Sequence, residues 1–73
     1  MQKVINFLRG SVRLEAEGVF PERFLNLCAQ NGVAFWAVEW LETGKVAITV
    51  PRRDAKRAQA LGERASCQVQ RQR

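Results

Sequence analysis

The chain has no histidine, only two cysteines, and no apolar run approaching the length of a membrane span. Each shortage removes a class of chemistry. Without imidazole, general acid–base work would fall to carboxylates. A tetrahedral metal site needs about four thiolate or imidazole ligands, which Cys28 and Cys67 cannot supply. Both cysteines fall where the apolar pattern turns inward, and a free thiol behaves there as a small hydrophobe. A disulfide between them is the lesser alternative, because a reducing compartment fits two isolated cysteines better. A span needs ~20 consecutive apolar residues. The first ten residues offer only Val4, Ile5, Phe7 and Leu8, interrupted by Asn6, which is too short and too broken for a signal peptide.

What is present is a chain of 73 residues, 47% of them hydrophobic. That is one domain of globular composition, near the lower size limit at which a chain buries roughly 60% of its unfolded surface. Its net charge of +5 is unevenly distributed. Four cations against five carboxylates leave residues 1–44 at −1, and eight against two leave residues 45–73 at +6. Such a field attracts an anionic surface, either nucleic acid or acidic lipid headgroups, without choosing between them.

Residues 11–17 alternate, with Val12, Leu14 and Ala16 on one side and Arg13, Glu15 and Glu17 on the other, which predicts a half-buried strand. Gly18 ends it. Pro21 suits the first turn of a helix, and Glu22 complements the helix dipole there. Phe24, Leu27 and Cys28 form the inner stripe, with Phe20 one turn before Phe24, and Asn31-Gly32 closes the helix. Residues 33–42 are aromatic and β-branched and read as a strand with Trp36, Val38 and Trp40 on one face and Phe35, Ala37 and Glu39 on the other. Thr43-Gly44 turns the chain into Lys45–Val50, whose Val46, Ile48 and Val50 point inward, so the two strands form a hairpin. After Pro51 comes a second helix with Ala55, Ala58, Leu61 and Ala65 inside and Arg52, Arg53, Lys56 and Arg57 outside, Gly62 falling near its end. Cys67 and Val69 alternate with Gln68 and Gln70 in a last strand.

The order is β-α-β-β-α-β. Right-handed crossovers put both helices on one face of a four-stranded antiparallel sheet, a ferredoxin-like α+β fold. Residues 1–73 form a single domain, with residues 1–10 as a short helical lead-in and residues 11–71 as the core.

Chemistries common on this fold leave signatures that can be sought. A metal-carrying version needs a Cys-x-x-Cys pair in the first loop, which here is Gly18-Val19-Phe20-Pro21. An RNA-recognition version stacks bases on exposed aromatics of its central strands, which here present Arg13, Glu15, Ala47 and Thr49. Two candidates remain. Arg52, Arg53, Lys56 and Arg57 share one helical face, either a solubilising surface or a contact for phosphate groups of lipid or nucleic acid. Trp40, near a strand end beside Leu41, would mark a protein contact if its ring is wet, whereas Trp36 reads as core. No catalytic, cofactor or metal residues are identified, so the expectation is a domain without enzymatic activity.

The stretch LRGSVRLEAEG over residues 8–18, PERFLNLC over residues 21–28, Asn31-Gly32 and Trp36 resembles the opening of the sporulation protein YqfD family. The Ala-rich second helix departs from the family pattern, which has larger apolar residues there. The resemblance implies a membrane-anchored protein of endospore formation in Gram-positive bacteria. Its soluble part would lie on the cytoplasmic side, anchored through a segment beyond this chain. The late accumulation of positive charge agrees with a cytoplasmic flank that meets acidic headgroups near the C-terminus. The function so implied is a non-catalytic interaction domain that docks a protein partner, with self-association through an edge strand as a further expectation. The alternative is a small basic nucleic-acid-binding module using the Arg52 to Arg57 face.

Overall fold

Alternation over residues 11–17 does produce a strand, β1 (Ser11–Glu17), in a computed structural model that describes residues 10–72. The expected helical lead-in of residues 1–10 lies outside the described residues except for Gly10. The chain continues through α1 (Pro21–Gln30), β2 (Trp36–Glu42), β3 (Lys45–Pro51), a single 3-10 turn (Arg52–Asp54), α2 (Ala55–Arg64) and β4 (Gln68–Arg71). The sheet order is β2-β3-β1-β4 with every neighbouring pair antiparallel. Each β-α-β unit therefore skips one strand. α1 packs on β1 and α2, and α2 packs on β1 and β4, which is the ferredoxin-like arrangement.

The interior follows from the two periodicities. Leu14 and Ala16 of β1, and Val46, Ile48 and Val50 of β3, meet Phe24 and Cys28 of α1 and Ala58 and Leu61 of α2, with Val33, Ala65 and Cys67 closing the ends. Val12, Leu25, Leu27, Phe35 and Val69 pack around this cluster half-buried. Each fully buried large side chain contributes about 1.5–3 kcal/mol of transfer free energy, so a core this thin leaves little margin for loss. Among the described residues no buried side-chain nitrogen or oxygen lacks a partner.

Both helices stop in the same way. After α1, Gly32 adopts φ +74 and donates to the Ala29 carbonyl, while the Val33 amide returns to Cys28 O at 2.9 Å. After α2, Ser66 adopts φ +59 and donates to Glu63 O at 3.0 Å, and the Cys67 amide returns to Gly62 O at 2.8 Å. These are paired C-terminal motifs that satisfy carbonyls the helix leaves open. The left-handed residue is the expected glycine in one and a serine in the other.

Three expectations need correction. Phe20 is the N-cap of α1, with a non-helical backbone (φ −129, ψ 76), and is 55% exposed, so the inner stripe starts at Phe24. Gly62, near the end of α2 as expected, lies where β4 approaches: a Cβ there would sit 2.1 Å from Val69 Cγ2. Arg52 and Arg53 belong to the 3-10 turn before α2, because Pro51 is extended (ψ 142) and the Arg52 amide bonds Gly10 O at 2.6 Å. Finally, β2 starts at Trp36 and is bulged, with register shifts between Trp36 and Glu39 and between Trp40 and Glu42. Ala37 takes φ +54, a conformation costly for a residue with a Cβ. The bulge reverses the facing of the strand. Trp36 pairs with Thr49 on the open face, and Trp40 pairs with Val46 on the helix face, so the three residues expected on one side are split. Trp36 is half-buried there and not a core residue.

Candidate functional site

β2 is an edge strand, and none of its residues is fully buried. Val38, Trp40 and Leu41 are 42%, 55% and 38% exposed, a run of large apolar side chains along one rim of the sheet. An antiparallel edge carries backbone donors and acceptors directed outward, ready to pair with another strand. The shape of this rim is held from the open face. Arg13 reaches across β3 to donate to Ala37 O at 2.6 Å and Thr49 Oγ1 at 2.8 Å, and it meets Glu39 Oε1 at 3.1 Å. One guanidinium thus secures the carbonyl of the bulged residue together with the adjacent carboxylate. Trp40 and Leu41 lie where the sequence placed a candidate contact, and both are accessible. At the hairpin end the Gly18 amide bonds Gly44 O at 2.9 Å, so the first loop abuts the turn and carries Val19 and Phe20, 84% and 55% exposed.

The basic candidate is only partly free. Arg52, Arg53, Lys56 and Arg57 are all exposed at the start of α2. Arg57, however, donates to the Asn31 carbonyl past the end of α1 and lies 3.4 Å from Asp54 Oδ1. Its charge is spent joining two helix ends. Arg52, Arg53 and Lys56 have no such ties among the described residues. They stand where the helix dipole is already positive and where α2 has no acidic residue in its own first turn. Cations at that end do not serve helix stability.

Glu15, Lys45, Glu39 and the two cysteines serve the structure. On the open face Glu15 lies 3.7 Å from Lys45 and accepts a hydrogen bond from Gln72, and with Arg13–Glu39 this brackets Ala47, which is buried although it faces away from the helices. Glu15 and Glu39 are the register partners of Ala47. Both cysteines are buried and unpaired. Burial pushes the Cys28 thiol up to about 11. Burial also raises that of Cys67, the Glu22 carboxylate adding to the effect and Arg23 opposing it. Neutral, enclosed thiols are poor nucleophiles. No cluster of three metal-ligating side chains occurs among the described residues, and no helix there is long and apolar enough to cross a membrane.

Sequence reasoning missed the role of Arg13, read as one charge of a wet strand face. It also missed Val19 and Phe20, whose exposure depends on where α1 begins. The available signal for Phe20 was Pro21, which fixes the first helical position and puts the preceding residue outside the helix. Compared with known proteins, residues 6–73 match a family model described as putative stage IV sporulation protein YqfD. No curated protein and no solved structure matches the chain.

Proposed function

The chain belongs to the YqfD family of putative stage IV sporulation proteins, and from that premise we propose that it is a non-catalytic interaction domain whose β2 edge docks a strand of a protein partner during spore formation. The observation that carries this reading is the rim itself. Val38, Trp40 and Leu41 are exposed on an edge strand whose bulge is braced by Arg13. An incoming strand would bond the backbone, and Trp40 and Leu41 would supply the anchoring side chains, tryptophan being enriched among residues that dominate interface energetics.

The basic end of the domain supports a cytoplasmic, membrane-anchored setting. Gly10 and Arg52 are hydrogen-bonded at the end of the sheet toward which β4 runs. A segment continuing past β4 would leave beside Arg52, Arg53 and Lys56, and acidic headgroups would meet those cations. Nucleic-acid binding by the same cations is the second reading, favoured by their placement against the helix dipole. Vesicles with and without phosphatidylserine, set against a nonspecific duplex over a salt series, separate the two.

The test of the docking reading is functional. In a spore-forming host carrying the full-length gene, a Trp40→Lys, Leu41→Lys variant is expected to accumulate normally and to lower the yield of heat-resistant spores at least tenfold. Normal yield from a variant shown to be folded would refute the docking role.

A further inference from the structure

We propose that the groove between α1 and α2 is a binding site for a small phosphate-bearing anion. The groove holds about 400 Å³ and is lined by Arg23, Asn26, Leu27, Gln30 and Arg64. The four α1 residues recur at helical spacing beside the core positions Phe24 and Cys28, with Leu27 half-buried against the core, so they form one continuous stripe. Arg64 comes from the last turn of α2.

Every ionisable group lining the groove is positive. Arg13 and Arg57 are each paired with a carboxylate, whereas Arg23 and Arg64 have neither an ion pair nor a side-chain hydrogen bond among the described residues. Two unspent guanidiniums on one concavity are poised for an oxyanion. Arg23 stands in the first turn of α1, where the backbone dipole adds to its potential.

The chemistry of the lining narrows the ligand. A carboxylate is satisfied by one guanidinium fork, while a phosphate has oxygens enough for two. Asn26 and Gln30 offer donors and acceptors to a polar body, and Leu27 is the only apolar side chain in the groove. No aromatic ring is there to stack a base, which argues against nucleobase recognition. The volume falls within the range of small-molecule sites, roughly 300–1,000 Å³. The groove lies on the helical layer and makes no use of the β2 edge, so this inference stands or falls independently of the docking reading.

The experiment is a titration of the isotopically labelled 73-residue chain with pyrophosphate at low salt, read by amide and arginine side-chain resonances, with citrate as the carboxylate comparison. Saturable shifts are expected at Arg23, Asn26, Gln30 and Arg64. Arg23→Gln with Arg64→Gln is expected to weaken binding at least tenfold, and Arg52→Gln with Arg53→Gln by less than twofold. Shifts that never saturate, shifts centred on Arg52 and Arg53, citrate binding as tight as pyrophosphate, or a groove variant that binds like the wild type would each overturn the assignment.

Discussion

Replacing Gly62 by alanine is expected to destabilise the domain, although the same change in an exposed helix interior is stabilising by roughly 1 kcal/mol. The reason is the contact between α2 and β4. A Cβ at position 62 would lie 2.1 Å from Val69 Cγ2 and 3.2 Å from Val69 Cβ. Valine is stiff at χ1, and its backbone is held in the β4 ladder opposite Ala16, so it cannot swing aside freely. Overpacking of this kind costs about 1–3 kcal/mol. Set against the helix-propensity gain, the net expected change is a loss of about 1 kcal/mol, equivalent to a drop in Tm of roughly 4–8 °C for a domain of this size. In a Val69→Ala background the obstructing methyls are gone, and Gly62→Ala is expected to become stabilising. The assay is a double-mutant cycle by urea unfolding followed by circular dichroism. The reasoning is refuted if Gly62→Ala stabilises the wild type, or if its effect is the same in both backgrounds.

Two further outcomes follow from the backbone and the core. Ala37→Gly relieves a left-handed φ of +54, worth about 1–2 kcal/mol, and loses up to about 1 kcal/mol to the freer unfolded chain. Urea unfolding is expected to show a net gain of about 0.5–1 kcal/mol, and a loss would mean that the bulge is not under conformational strain. Burial raises the Cys28 thiol from its ordinary 9.0 to about 11, so the unfolded chain releases this proton first. The stability contributed by the neutral thiol is complete below about pH 9 and declines as pH rises toward 11. Unfolding of wild type and Cys28→Ala at pH 8 and pH 10.5 is expected to show a steeper loss in the wild type, and parallel losses would contradict the assignment.

Much of this architecture is legible from side-chain periodicity. The alternation of Val12, Leu14 and Ala16, the hairpin at Thr43-Gly44 and the Ala55, Ala58, Leu61 stripe all became the expected elements, because burial on one face is a local, repeating demand. Pro21 and Asn31-Gly32 marked the limits of α1 for stereochemical reasons that operate without tertiary contacts. β2 was the failure, and an instructive one. Its bulge rests on an alanine at positive φ, which carries no glycine or asparagine signature, and the conformation is secured by an arginine from a strand not even adjacent to it. The same bulge split Trp36 from Trp40, putting them on opposite faces of the sheet. The reason for a glycine at position 62 was not legible, because its close approach to Val69 exists only once β4 has folded back. Likewise the basic cluster was visible as charge, but the diversion of Arg57 to Asn31 and the pairing of Arg23 with Arg64 across a groove require both helices in place.

The proposed docking role of β2 is tested most directly by placing a photo-crosslinking amino acid at position 41 of the full-length protein in sporulating cells, with position 59 on the helical layer as the reference. A discrete protein adduct is expected from position 41 alone, and it is expected to vanish when Trp40→Lys is added to a chain that remains folded. Equal crosslinking from positions 41 and 59, or an adduct indifferent to Trp40→Lys, would contradict the account.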